Sequence, residues 1–240
     1  MTLPLVLLPG LLCDERLWQY QRTALSALVP PGPTGITVGD LTAADNVSDL
    51  AASVLAKAPE RFALAGFSMG GYTAFEIMRQ APERVMKLAL IDTMARPDAA
   101  DQVRLRQGLI SLARGGTFKG ITPRLLPQLL HPDLVASDPL AAPVGPLLME
   151  MAEKIGREGF IRQQHAILSR PDSRPLLPGI KVPTLVMTGD ADQRTPPEAG
   201  REMAAAVPGA RFVLIEGAGH VAPLEQPAAV SAAMAEWLAG

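Results

Sequence analysis

Six short apolar runs, at residues 3–8, 36–38, 62–65, 85–91, 184–187 and 211–215, punctuate the chain, and most of them are continuous rather than alternating. A strand with one face in water alternates apolar with polar residues, so a continuous run requires cover on both faces. That is the pattern of a parallel sheet flanked by helices. Helical periodicity fills the gaps. Val47, Leu50, Ala51, Val54 and Leu55 fall at i, i+3, i+4, i+7 and i+8 behind candidate caps at Asp45 and Asn46, and Val230, Ala233, Met234, Trp237 and Leu238 repeat the spacing. The alternation predicts a doubly wound, mostly parallel α/β sheet, and 240 residues suit one such domain. Between Ile91 and Pro183 the alternation stops, leaving helix-length patterns such as Leu105, Leu109 and Leu112 among frequent prolines. The expected organisation is a core of residues 1–94 and 183–240 with a helical lid, 95–182, inserted into it.

Composition excludes several classes. Hydrophobic residues make up 48% of the chain and charged residues 19%, enough for a large core and unlike a disordered chain. A net charge of −2 offers no basic field for a nucleic-acid backbone. The single cysteine, Cys13, allows no internal disulfide and fits a reducing compartment, with the cytoplasm as the default. The opening residues lack the basic start and cleavage site of a signal peptide, and no stretch reaches the roughly 18 apolar residues of a membrane span, so a soluble chain is expected. The segment GAGHVA fits a dinucleotide-binding pattern formally, but Pro223 and Pro227 obstruct the helix it would need. With no P-loop, no cysteine pair and no H-E-x-x-H, neither a cofactor nor a metal is implied.

The segment GFSMGG sets Ser68 between Gly66 and Gly70, directly after the run 62–65 and before a helical pattern carrying Tyr72, Phe75, Ile77 and Met78. This is the strand, turn, helix context of a nucleophile elbow. A free serine is a weak nucleophile and needs a base, and the base needs a group to orient it. Ligands of open α/β sheets gather at the carboxyl ends of strands, so the partners belong on later strand ends. After the run 184–187 comes GDADQRTPP, with Asp192; after 211–215 comes EGAGHVAPLEQP, with His220. Asp190, two residues from Asp192, and Asp92, at another strand end, compete for the acid role. His131 and His165 lie in the helical insert and are expected to be structural or exposed.

On LLPGLL, GFSMGG, TGDADQRTPP and GAGHVAPLEQP the sequence resembles the α/β-hydrolase superfamily in its small esterase-like branch, over almost the whole chain outside the lid. The resemblance implies Ser68 as nucleophile, His220 as general base, Asp192 as the acid that orients it, and an oxyanion hole made by the backbone N–H groups of Leu11 and Met69. It implies cleavage of esters of small to medium apolar acids through a covalent acyl-enzyme. The same constellation serves thioesters, lactones, carbon–carbon bonds beside a ketone and carrier-bound acyl esters; a ligand-binding or signalling module with a vestigial triad is the reading from another class. Two departures are visible: Pro9 stands where relatives commonly carry histidine before the glycine, and there is no room for an N-terminal antiparallel hairpin.

Residues 95–181 carry 12 Lys and Arg against 8 Asp and Glu, a local +4, leaving −6 for the rest. Such asymmetry could steer an anionic substrate or an acidic acyl carrier. A solvated helical surface is the favoured explanation. Leu147, Leu148, Met149, Met151 and Phe160 are either an acyl pocket or the packing of the lid on the sheet.

Overall fold

Each of the six apolar runs becomes a strand, and every pairing between them is parallel. The structure, a computed structural model, describes residues 2–138 and 143–240; residues 139–142 of the expected lid lie outside the described residues. The strands are β1 (Leu5–Leu8), β2 (Ile36–Val38), β3 (Phe62–Phe67), β4 (Val85–Ile91), β5 (Thr184–Gly189) and β6 (Arg211–Ile215), in the spatial order β2-β1-β3-β4-β5-β6. Helices α1 (Gln19–Ala24), α2 (Val47–Lys57) and α3 (Met69–Gln80) follow the first three strands. Helices α4 (Ala100–Arg114), α5 (Pro132–Ser137) and α6 (Val144–Ser169) lie between β4 and β5, and α7 (Pro197–Ala206), α8 (Ala222–Glu225) and α9 (Pro227–Ala239) complete the chain.

The order reverses at β1, which β2 and β3 flank, so the crossovers place helices on both faces. Strand periodicity divides the core accordingly. Leu5, Leu7, Ala63, Ala65, Ile91 and Met187 pack with Leu25, Val230, Met234 and Trp237 on the face of α1 and α9. Val6, Leu8, Leu64, Leu88, Leu90 and Val186 pack with Leu50, Val54, Phe75 and Met203 on the face of α2, α3 and α7. Every residue of β1, β3 and β5 therefore meets protein whichever way it points, which accounts for their continuous apolar runs, while the edge strands β2 and β6 are only partly buried.

Local chemistry sets the helix boundaries. Asn46, extended at φ −142°, accepts the Asp49 amide at 2.8 Å and caps α2, while Pro197 and Pro227 occupy first-turn positions where no amide is needed. Two strands run longer than their apolar runs: β3 continues through Gly66 and Phe67, and β5 through Thr188 and Gly189, because the ladder continues as Leu8↔Gly66, Phe67↔Ile91 and Thr188↔Leu214. β1 starts later than the run 3–8, at Leu5, after a proline that has no amide to donate.

Between β4 and β5 the described residues hold no strand. Helix α4 forms, but Leu105, Leu109 and Leu112 are exposed (57%, 38% and 56%), and Ile110 and Ala113 face inward instead. Helix α6 is interrupted at Gly156 (φ 69°, ψ −179°), and in its second half Phe160 and Ile161 share a buried cluster with Leu12, in the turn after β1, and with Ile110 and Ala113 of α4. Leu148 and Met151 belong to the buried cluster on the α1/α9 face, which also holds Phe67 and Val221. Among the described residues no helix is long and apolar enough to cross a membrane.

Candidate active site

Ser68 sits between the last residue of β3 and the first of α3 with φ 50° and ψ −113°, a conformation that costs a non-glycine residue about 1–3 kcal/mol. The surroundings hold it there: its amide donates to the Ile91 carbonyl at 3.0 Å, and the Thr93 hydroxyl donates to its carbonyl at 2.8 Å. The flanking glycines have a steric cause. A Cβ on Gly66 would lie 2.5 Å from the Gly70 carbonyl oxygen, and one on Gly70 would lie 2.3 Å from that of Leu8. The bend is thus compact enough to lift Ser68 to the carboxyl edge of the sheet with the start of α3 pressed against the end of β1.

Two later strand ends bring their side chains to the same edge. His220 Nε2 lies 3.0 Å from Ser68 Oγ, and its Nδ1 lies 2.9 Å from Asp192 Oδ2. Asp192 follows β5 in a turn closed by its own carboxylate: Oδ1 accepts the amides of Arg194 (2.7 Å) and Thr195 (3.0 Å), and Oδ2 accepts the Thr195 hydroxyl (2.6 Å). With the Thr195 proton directed at Asp192, its oxygen at 3.3 Å from His220 Nδ1 presents a lone pair. Both neighbours of Nδ1 are then acceptors, which favours the tautomer with its proton on Nδ1 and leaves Nε2 free to accept the proton of Ser68. The Phe67 ring packs against the imidazole with centroids 5.3 Å apart, and His220 is buried at 8% exposure.

The three acidic candidates separate in space. Burial pushes the Asp192 carboxyl up, but the charge and hydrogen bond of His220 and the Thr195 donors outweigh it and hold the group below its ordinary value. Asp92 is fully buried; its oxygens accept the amides of Gly189 (2.9 Å) and Ala222 (3.2 Å). Burial, reinforced by the Asp192 charge, raises Asp92 well above the usual carboxylate range. Asp190 accepts the Ala218 amide at 3.2 Å and lies 3.9 Å from His131 Nε2. Of the three, Asp192 has the contact with the His220 ring. A pair of carboxylates with pKa values driven apart assigns the charge to one of them, here the one on the imidazole.

The two candidate oxyanion donors lie on separate elements. Met69 is the first residue of α3, where an amide has no acceptor one turn behind it and the helix dipole favours negative charge. Leu11 is the first central residue of a turn closed by the Cys13 amide on the Gly10 carbonyl at 3.2 Å. The second, Leu12, has φ 59°, and its amide donates to Gln163 Oε1 on α6 at 3.0 Å. Burial pushes the Cys13 thiol up to about 12, so it stays protonated beside this turn. His131 donates its amide to Glu225 at 2.6 Å, and His165 Nε2 lies 3.0 Å from Arg114; neither ring reaches Ser68. Among the described residues no group of three or more His, Cys, Asp or Glu side chains could hold a metal ion. A cavity of about 420 Å³ lies beside the Leu11 turn, lined by Pro9, Cys13, Thr42 and Lys154, without Ser68 or His220 in its wall.

Sequence reasoning missed Thr195, Gln163, Leu129 and Glu225. The first had a signal, since an aspartate three residues before a threonine ahead of two prolines is a side-chain-closed turn. Gln163 and Leu129 act across the fold and carry no local pattern; Glu225 combines contacts to Gly219 and Val221 within six residues with one to His131 across the fold.

Known proteins resemble this chain over most of its length. Residues 5–233 match the model of the Alpha/beta hydrolase family. The chain is 29% identical over 178 residues to the pimeloyl-[acyl-carrier protein] methyl ester esterase of Neisseria meningitidis, covering 73% of this chain and 68% of that protein. Among solved structures it is similar to a thermophilic esterase from Thermogutta terrifontis (TM-score 0.84, 30% identity, 99% of this chain and 89% of that one). It is also similar to the enol-lactonase of Burkholderia xenovorans (TM-score 0.85, 27% identity, 100% and 93%).

Proposed function

The chain belongs to the alpha/beta hydrolase family, and on that premise we propose that it is a serine hydrolase cleaving carboxylic esters of small to medium apolar acids through a covalent acyl-enzyme. The observation that carries the proposal is the unbroken relay from Ser68 Oγ to His220 Nε2 at 3.0 Å and from His220 Nδ1 to Asp192 at 2.9 Å. Ser68 attacks the ester carbonyl as its proton passes to Nε2. The cation formed on the imidazole is stabilised by Asp192, which also fixes the tautomer. The carbonyl oxygen gains charge, and the amides of Leu11 and Met69 receive it; each such donor contributes about 3 kcal/mol in the transition state. His220 then returns the proton to the leaving alkoxide, and water, activated by the same imidazole, releases the acid.

Residues 95–182 serve in this reading as the lid over the acyl site. Leu148 and Met151, in the same buried cluster as Phe67, the residue before Ser68, would form its apolar wall. A second reading is an ester presented on an acyl carrier, favoured by the relative whose name states such a substrate and by the local charge of +4 over 95–181. A vestigial, non-catalytic module is disfavoured because the three side chains stand within hydrogen-bond distance in sequence.

The test is a panel of nitrophenyl esters of rising acyl length, run on wild type and Ser68→Ala. Turnover by wild type, lost in the variant, supports the proposal; no turnover of any ester by wild type contradicts it. A methyl ester supplied free and on an acyl carrier protein separates the two readings by their kcat/KM ratio.

A further inference from the structure

The loop that carries His220 has five consecutive backbone amides, residues 218–222, and each donates to an acceptor. Ala218 donates to Asp190 Oδ1 (3.2 Å), Gly219 and Val221 both to Glu225 Oε1 (3.0 Å each), and Ala222 to Asp92 Oδ2 (3.2 Å). The His220 amide donates to the Leu129 carbonyl at 2.7 Å. The other oxygen of Glu225 accepts the His131 amide at 2.6 Å. One carboxylate thus grips the residues on either side of His220 with one oxygen, and with the other holds the segment whose carbonyl takes the His220 amide itself.

We propose that Glu225 is a positioning residue for the general base, fixing the His220 backbone against the 129–131 segment so that Nε2 stays on Ser68. It acts through the backbone, since it contacts neither the imidazole nor Ser68. Hydrogen bonds to a carboxylate are about twice as strong as neutral ones, so three of them make a stiff bracket. Burial raises the Glu225 carboxyl above its ordinary value in spite of the amides of His131, Gly219 and Val221. A displacement of the imidazole by 1 Å is worth on the order of a hundredfold in rate.

The proposal rests on His220 being the general base, so His220→Ala is the parallel control. The experiment measures kcat and KM for a nitrophenyl ester, together with near-ultraviolet circular dichroism and Tm, on wild type, Glu225→Gln and Glu225→Ala. The glutamine keeps one acceptor oxygen but meets the His131 amide with a second donor, so kcat falls about tenfold with KM within about twofold. The alanine removes both acceptor oxygens and leaves all three amides without their partner, and kcat falls about a hundredfold. Native folding with kcat within twofold of wild type in either variant would overturn the proposal; if the alanine variant does not fold, the glutamine variant decides. Slow Glu225→Gln with silent His220→Ala would overturn the functional reading and this proposal with it.

Discussion

Gly70→Ala tests the steric argument for the elbow. The added Cβ would sit 2.3 Å from the Leu8 carbonyl oxygen and 2.7 Å from that of Pro9, where an ordinary contact is 3.4 Å or more. The start of α3 and the end of β1 must therefore part by roughly 1 Å, the shortfall of the shorter contact against ordinary van der Waals spacing. Both partners are backbone, so no side chain can rotate out of the way. Overpacking of this kind costs about 1–3 kcal/mol, and for a chain of this length each kcal/mol lowers Tm by about 2–4 °C. The predicted loss is roughly 2–12 °C. The same movement separates the Met69 amide from the Leu11 turn, and a 1 Å misplacement lowers kcat on the order of a hundredfold. Gly108→Ala is the matched control. It lies within α4 with nothing inside 4 Å of its added Cβ, so it should stabilise the helix by about 0.5–1 kcal/mol and leave kcat alone. Calorimetry and ester kinetics on both variants decide; a Gly70→Ala enzyme with unchanged Tm and a kcat within twofold of wild type would refute the argument.

Asp192→Asn should lower kcat by about 10⁴-fold through the wrong imidazole tautomer, while Asp92→Asn, facing no imidazole, should cost far less; equal losses would remove the distinction between the two acids. Thr195→Val deletes the hydroxyl donor to Asp192 and should lower kcat about tenfold, the cost of one charge-assisted hydrogen bond, in steady-state assays at matched temperature. Asp98 bridges Arg106 (2.5 Å) and Arg170 (2.7 Å); burial opposes its charge, but the two guanidinium groups hold the carboxyl below its ordinary value. A depressed carboxylate contributes stability that is present above its unfolded pKa and lost as pH falls through the folded one. Urea unfolding from pH 7 downward should thus show stability falling below about pH 4, with the fall reduced in Asp98→Asn. An identical acid limb in that variant would show that the bridge contributes nothing.

The parts of the fold that could be read from sequence are those with a local period. β1, β3, β4, β5, α2 and α9 announce themselves because burial on a known face repeats every residue, or every three to four, along a short stretch. Ser68 and His220 were selectable because a parallel sheet collects the carboxyl ends of its strands on one edge, so loops far apart in the chain share an address; that rule left Asp92 and Asp190 beside Asp192, and only the family resemblance chose among the three. Side-chain partners across the fold have no such period. Gln163 meets Leu12 151 residues away, and His131 meets Glu225 across 94, through contacts that only the tertiary arrangement creates. The phase of α4 was illegible for a related reason: Leu105, Leu109 and Leu112 repeat as a buried stripe would, yet the face that packs is the one bearing Ile110 and Ala113, set by where α6 lies. The break at Gly156 looks like continuous helix in the sequence, since a glycine inside a helical pattern leaves the period intact.

The central claim is that Ser68 becomes a nucleophile because His220 accepts its proton. Trapping with a fluorophosphonate ester, followed by peptide mass spectrometry, measures that directly. The account predicts one adduct per chain, on the peptide containing Ser68, formed rapidly by wild type and slowed by several orders of magnitude in His220→Ala. An ester-cleaving enzyme labelled on another residue, or a Ser68 labelled equally fast without the imidazole, would contradict it.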